Sequence, residues 1–283
     1  MSNRTYLYVP GDRPDLLAGA LTRGADALIL DLEDSVVAAN KSQARDVVVD
    51  WISHLGDGHD RCEVWVRVNN SPELLNRDLH ALGRTAAIRG ISIPKIQGPE
   101  TLEEIEHHMG EDWSVIALIE SAAGLLAAPL IAASPRMGRL ALGETDLMAE
   151  LGMTQNPPEQ ALIAVRVQLV VASAANGLDA PIAPVTTDFR DLEALRSSTR
   201  DLRAMGFGAR SAIHPDQVEV INEVFTASEE EIDEARRIVA AADRAAAEGS
   251  GVFVDLDGRM VDEAVVRRAR RQLAETTRRG DAT

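Results

Sequence analysis

Cysteine is nearly absent from this chain: Cys62 stands alone among 283 residues. That excludes a disulfide framework and any zinc site built on several thiolates. Lysine is almost as scarce, with Lys41 and Lys95 the only two. Positive charge of every kind is outnumbered, because Lys and Arg total 29 against 45 Asp and Glu, for a formal net charge of -16. Such a surface repels phosphate backbones and anionic lipid, so neither nucleic acid nor a membrane is expected as a partner. No apolar run approaches the ~18 residues of a spanning helix, and the opening MSNRTYLYVPGDRP carries no apolar signal core. A soluble, cytoplasmic protein is the expectation. A P-loop, G-x-G-x-x-G, H-E-x-x-H and G-x-S-x-G are missing as well.

What is present is alternation. Short apolar, β-rich runs occur at Tyr6–Val9, Ala27–Leu30, Val64–Val68, Ile91–Ile93, Val115–Ile119, Leu140–Leu142, Pro181–Ala183 and Ser211–Ile213. The last two are the weakest, one entered by proline and one very short. Helix-like segments lie between them, such as RPDLLAGALTRG, SPELLNRDLHALG, GPETLEEIEHHMG and FRDLEALRSSTRDLRAMG. Several have Pro near the first turn and Gly after the last, the punctuation of helix starts and stops. Eight strands alternating with helices predict an α/β fold, a (β/α)8 TIM barrel over residues 1–225. Residues 226–283 fall outside the alternation and predict a helical C-terminal extension. Its first helix opens with Ser228 and Glu231 in capping-box register and runs to Gly249; a hairpin with a Gly turn and a basic helix follow.

In such a barrel the active site lies at the C-terminal ends of the strands. Here those ends read Pro10-Gly11-Asp12-Arg13, Asp31-Leu32-Glu33-Asp34, Arg67-Val68-Asn69-Asn70, Pro94-Lys95, Glu120-Ser121, Gly143-Glu144-Thr145-Asp146, Pro184 and His214-Pro215. An acidic cluster with one Arg and one Lys suits a hard divalent cation together with an anionic substrate. Glu120 and Asp146 end neighbouring strands, so their carboxylates could meet on one ion or could each cap the following helix. Asp31, Glu33 and Asp34 could serve the site or cap and solvate; Asp34 is placed to cap the helix through SVVAANKSQARDVVVDW. Arg67 could hold a carboxylate or an enolate in fork geometry, or pair with an acidic neighbour. Lys95 could form a Schiff base, but among carboxylates that raise its pKa an ion pair is favoured. His107 and His108 read as solvent-facing. His214 precedes Pro215, which fixes the backbone of the last loop.

The stretches YVPGDRPDLLAGALTRGADALILDLEDSV, VRVNN, IPKI, ALIESAAG, LALGETDLMAELGM, GFGARSAIHPDQVEVINEVF and DGRMVDEAVVRRA span nearly the whole chain. In these the chain resembles the citrate lyase beta-subunit-like proteins, close to malyl-CoA and citramalyl-CoA lyases within the HpcH/HpaI aldolase group. The resemblance implies a barrel that assembles as a homotrimer or dimer of trimers and binds Mg²⁺, a CoA thioester and a small 2-oxo acid. It implies Glu120 and Asp146 as Mg²⁺ ligands, with Arg67 and Glu120 at the substrate. Asp262 of RMVD would be the acid/base that reaches a neighbouring subunit's site, while Glu33, Asp34 and Lys95 would stand behind the ligands. Arg13 and Arg210 are candidates for CoA phosphates, Arg13 with an ion pair beside Asp12 as its alternative.

The activity so implied is Mg²⁺-dependent cleavage of a hydroxyacyl-CoA into an acyl-CoA and a 2-oxo acid. A CoA-thioester hydrolase on the same residues is one rival, and a Schiff-base aldolase using Lys95 is another. The third is a non-catalytic CoA-binding subunit of a larger complex.

Overall fold

The strand runs are apolar at nearly every position because both faces of each strand are covered, the pattern of a buried parallel sheet. The computed structural model describes residues 3–55, 62–83, 85–154, 157–247, 253–254 and 260–280. It divides into a barrel unit, Asn3–Phe225, and a C-terminal unit from Thr226 onward.

The barrel unit closes eight parallel strands in chain order: β1 (Thr5–Pro10), β2 (Ala27–Asp31), β3 (Glu63–Arg67), β4 (Gly90–Ile93), β5 (Ser114–Ile119), β6 (Met137–Leu142), β7 (Ile182–Ala183) and β8 (Ala209–Ala212). All eight expected strands are there. β7 has two residues because Pro181 and Pro184 bracket it and lack the N–H a ladder needs. β8 begins two residues earlier than its apolar run, since Ala209 and Arg210 pair with Ile182 and Ala183.

Side chains alternate across each strand. Tyr6, Ala27, Ile29, Trp65, Ile116, Leu118, Ala141, Ile182 and Ala209 fill the barrel interior, with Tyr8 packed on them. The intervening residues, among them Leu7, Leu28, Leu30, Val64, Val66, Ile91 and Ile93, join the larger cluster under the helices. That alternation aims Asp31 and Arg67, directly paired in register, at the barrel mouth.

Outside run α1 (Pro14–Leu17), α2 (Lys41–Ser53), α3 (Pro72–Leu82), α4 (Glu100–Ile105), α5 (Ala122–Ala132), α6 (Glu144–Glu150), α7 (Glu159–Ala175), α8 (Leu192–Met205) and α9 (Asp216–Phe225). The first is much shorter than the helix expected through RPDLLAGALTRG; Gly19 interrupts it, and a 3-10 turn at Ala20–Thr22 follows. α5 starts where Ser121 Oγ accepts from Gly124 N at 3.0 Å, and α8 where Asp191 accepts from Ala194 N at 2.9 Å. α8 stops at Gly206, whose φ of 106° places it in the left-handed region. Among the described residues, no helix is long and apolar enough to cross a membrane.

In the C-terminal unit, α10 (Glu229–Ala247) begins with the expected capping box. Glu231 N donates to Ser228 Oγ at 3.2 Å and Ser228 N to Glu231 Oε2 at 2.9 Å. The expected end at Gly249 and the Gly turn of the hairpin lie outside the described residues. β9 (Phe253–Val254) and β10 (Met260–Val261) pair antiparallel, and α11 (Glu263–Gly280) follows.

Candidate active site

β2 delivers the first charged group. Asp31 is 1% exposed, and its carboxylate accepts Arg67 Nε and Nη2, both at 2.7 Å. It also accepts the backbone N–H groups of Glu33 at 2.8 Å and Ser35 at 3.0 Å. Burial opposes its ionisation, but the Arg67 fork outweighs burial and holds the carboxyl below the usual aspartate range. The Arg67 guanidinium is thereby fixed in plane, 5.0 Å from the centre of the Tyr8 ring. Its Nη1 lies 3.1 Å from Glu33 Oε2 and 3.9 Å from Asp34 Oδ2. The chain turns sharply after Asp31, which is what brings Glu33 and Asp34 back over the strand ends.

Lys95 joins this network from the end of β4. Its Nζ pairs with Glu33 and lies 3.2 Å from Asp34 Oδ1. Burial works against its charge, yet the two carboxylates hold its pKa above the ordinary lysine value, which keeps it protonated and opposes Schiff-base nucleophilicity. Its backbone adopts a φ of 52°, a left-handed conformation uncommon for a side-chain-bearing residue. That conformation has a use: Lys95 N points at Glu120 Oε1, 2.7 Å away. Asp34 does not cap a helix as expected. α2 begins only at Lys41, seven residues further along the chain, after a 3-10 turn at Ala38–Asn40.

β5 and β6 deliver the second half. Glu120 follows β5, is 4% exposed, and has that single backbone N–H donor and no cation bonded to its side chain among the described residues. Burial raises its pKa most; the Lys95 N–H offsets this in part, and the negative charges of Asp146 and Glu33 add to it, to reach about 8. Asp146 stands in the first turn of α6, on an exposed position. Its neighbour Glu144 is taken by Arg166, with Nε and Nη2 at 2.7 and 2.9 Å. Gly143 permits the close approach of β6 to Glu120: a methyl group there would lie 2.5 Å from Glu120 Oε2. Gly143→Ala is therefore expected to displace that carboxylate and to lower turnover by about a hundredfold. Steady-state rates measured beside an unchanged circular dichroism spectrum check this.

These groups border one cavity of about 150 Å³, with Arg67, Glu120 and Asp146 on its wall beside Tyr8 and Ser211. Tyr8 and Ser211 escaped the list of strand ends because they point inward before the strands stop. The period-2 alternation of β1 and β8 was the available signal. Arg13 is exposed and paired with Asp15 at 2.6 Å, not with Asp12. Arg210 corrects its expectation: it is buried, facing the helices, and donates to Pro184 O, Ser198 Oγ and Thr199 Oγ1 at 3.0, 2.9 and 2.6 Å. An interior guanidinium so engaged does not offer itself to a phosphate. Asp262 belongs to the C-terminal unit, where it is exposed and accepts Val265 N at 3.0 Å as the cap of α11. His107 and His108 are exposed, and His214 stacks on Phe189 with ring centres 4.6 Å apart.

Chemically, this is a barrel mouth with a carboxylate pair on one side and a fixed guanidinium on the other. Among the described residues no group of three or more His, Cys, Asp or Glu side chains could hold a metal ion. Two carboxylates of which one is buried without a cation fit a hard divalent ion that takes its remaining ligands from water and substrate oxygens. Fold and site thus define a (β/α)8 barrel whose mouth sets a carboxylate pair beside a fixed guanidinium. The sequence pattern of the HpcH/HpaI aldolase/citrate lyase family matches residues 4–215, and the chain belongs to that family.

A (3S)-malyl-CoA thioesterase of Cereibacter sphaeroides is 37% identical over 273 residues, 96% of this chain and 94% of that protein. The citrate lyase subunit beta of Leuconostoc mesenteroides subsp. cremoris is 33% identical over 280 residues, 95% of this chain and 91% of that one. Among solved structures, CitE of Mycobacterium tuberculosis in complex with magnesium, acetoacetate and coenzyme A is 32% identical. It has a TM-score of 0.81 and covers 96% of this chain and 97% of its own.

Proposed function

We propose that this protein is a Mg²⁺-dependent carbon–carbon lyase that cleaves a hydroxyacyl-CoA thioester into a shorter acyl-CoA and a 2-oxo acid. The observation that carries the reading is Glu120, a buried carboxylate without a bonded cation, sharing a cavity with Asp146 and Arg67. The magnesium and coenzyme A bound by the CitE neighbour support it. Glu120 and Asp146 would hold Mg²⁺, which when bound supplies Lewis-acid polarisation of the substrate oxygen. Lys95 N anchors Glu120, and Asp31 holds the plane of Arg67. Asp31 takes two of the five N–H donors of Arg67, and Glu33 Oε2 engages Nη1 at 3.1 Å; the remaining N–H donors on Nη1 and Nη2 would orient a substrate oxygen and stabilise enolate charge.

In cleavage the hydroxyl loses its proton, the C–C electron pair passes to the thioester as an enolate, and the enolate carbon takes up a proton, so the count closes. Asp262 of a neighbouring copy is assigned that protonation, following the family resemblance. Asp262→Ala is expected to cut turnover at least a hundredfold, about 2.7 kcal/mol of barrier, with the oligomer intact. Full turnover by a folded, oligomeric variant would remove Asp262 from the mechanism. Assembly as a homotrimer or dimer of trimers is part of the same reading. Leu126 and Leu130 on α5, 79% and 64% exposed, and Val171 on α7, 59% exposed, support it as apolar side chains left in water. Light scattering reads the assembly directly.

A second reading, thioester hydrolysis, is favoured by the (3S)-malyl-CoA thioesterases among the relatives. Incubation of the protein and Mg²⁺ with a panel of hydroxyacyl-CoA thioesters separates the two. A 2-oxo acid with a shorter acyl-CoA is the expected product; free CoA with an intact hydroxy acid would establish hydrolysis instead.

A further inference from the structure

The walls of the cavity differ in a way that bears on which 2-oxo acid it takes. Leu118, Leu142, Val185 and Ile213 form an apolar portion, and Tyr8 and Ser211 contribute uncharged hydroxyls from the adjacent strands β1 and β8. Arg67 is the one cation among the described residues lining it, and its charge is matched by Asp31 and Glu33. Lys95, behind this wall, is matched by Glu33 and Asp34. The mouth therefore sets three carboxylates against two cations even before Glu120 and Asp146 are included.

The first carboxylate of any 2-oxo acid has the remaining Arg67 donors and the Glu120–Asp146 cation site to meet it. A second carboxylate would meet leucine, valine and isoleucine side chains, the neutral hydroxyls of Tyr8, Thr145 and Ser211, or more negative charge, and no second cation among the described lining residues. Removing an ionised carboxylate from water without a cationic partner is strongly unfavourable, whereas a methyl or ethyl group gains by entering apolar surroundings.

Tyr8 has the features of a neutral donor. Its ring is held under the Arg67 guanidinium, 5.0 Å from ring centre to the guanidinium carbon. Burial, the dominant cause, pushes its phenol up to about 12, so the hydroxyl keeps its proton across the physiological range. Arg67, Asp31 and Glu33 are already paired with one another or with Lys95, while no described group hydrogen-bonds the Tyr8 hydroxyl. A neutral donor beside a matched guanidinium can serve a carbonyl or carboxylate oxygen without adding charge.

From this division of the walls, and resting on the lyase reading above, we infer that the cavity selects a monocarboxylic 2-oxo acid with a short apolar side group. The Tyr8 hydroxyl donates to one of its oxygens. Tyr8 is then a positioning and specificity residue on the substrate side, opposite the carboxylates that hold the cation.

The test is calorimetric titration of the full-length protein in Mg²⁺ with 2-oxobutyrate and with freshly prepared oxaloacetate, which match in length and differ by a methyl against a carboxylate. Wild type is expected to bind 2-oxobutyrate at least tenfold more tightly. Tyr8→Phe, which keeps the ring under Arg67, is expected to weaken 2-oxobutyrate binding about tenfold with Tm unchanged. Equal or tighter binding of oxaloacetate overturns the selectivity. Undiminished binding by Tyr8→Phe overturns the role of the hydroxyl, and a fall in Tm alongside the loss assigns Tyr8 to packing and overturns it too. Failure of wild type to bind either acid is a different result: it sinks the lyase reading itself.

Discussion

Glu120→Gln is expected to stabilise the metal-free protein at pH 8 while reducing Mg²⁺-dependent turnover at least a hundredfold, about 2.7 kcal/mol of barrier. The two effects share one cause. Glu120 is buried, and burial together with the negative charge of Asp146 lifts its pKa from 4.5 to about 8, against the opposing Lys95 N–H. An acid whose pKa is higher folded than unfolded retains a proton in the native state that the unfolded chain has released. The native state therefore binds more protons across the window from 4.5 to about 8, and metal-free stability falls as pH rises through it, levelling above.

Glutamine carries no charge at any pH and keeps an oxygen for Lys95 N. Its variant should show a flatter profile and a Tm about 5 °C above wild type at pH 8 without metal. Added Mg²⁺ should raise the wild-type Tm at that pH, because it provides the missing positive charge, and should leave the variant unmoved. Thermal melts across the pH window, with and without Mg²⁺, read all of this. A wild-type Tm that climbs between pH 5 and 8 without metal, or a variant still stabilised by Mg²⁺, would show that Glu120 is not the buried ligand.

Arg67→Met should do the opposite, costing stability as well as activity. Asp31 is 1% exposed, and two of its four hydrogen bonds come from this guanidinium. Removing one partner of a buried pair strands the other charge, an effect of about 3–5 kcal/mol at neutral pH. The cost should be smaller in acid. With Arg67 present, Asp31 titrates below its ordinary value, so the pair's contribution persists until the pH drops through that lowered pKa. With Arg67 absent, burial dominates and Asp31 can take a proton instead of standing charged. The variant should therefore lose less at pH 4.5 than at pH 7. Asp31→Asn in the Arg67→Met background should recover part of the loss by removing the unpaired charge without restoring activity. Urea denaturation of wild type, both single variants and the double variant gives the coupling energy. Purely additive penalties would mean that the pair is not the stabilising unit described.

The fold was legible in the chain because barrel strands leave a local mark. A strand buried on both faces reads as a run of apolar residues, as at Ala27–Leu30 or Val115–Ile119, and its termination is visible where Asp31 or Glu120 breaks the run. The rule that chemistry gathers at C-terminal strand ends then singled out Arg67, Lys95, Glu120 and Asp146. β7 was weak in the sequence for the reason it is short in the structure: prolines at both sides limit its ladder.

What tertiary structure alone decided is how charge is shared among those residues. Asp31, Glu33 and Asp34 lie within four positions and look alike in one dimension. In three, Asp31 is buried against a guanidinium 36 residues away, Glu33 bridges Arg67 and Lys95, and Asp34 stands half in water. Arg210 looks available in GFGAR and is interior because the pleat of β8 turns it towards α8. Tyr8 reads as one more apolar strand residue until barrel closure places it beneath Arg67. The physical reason is common to all three: burial and the nearest opposite charge set what an ionisable or hydroxyl group can do, and both depend on neighbours distant along the chain. Local sequence therefore determined the barrel and the charged residues at its mouth, and the folded geometry determined which of them are paired within the protein and which are left facing the cavity.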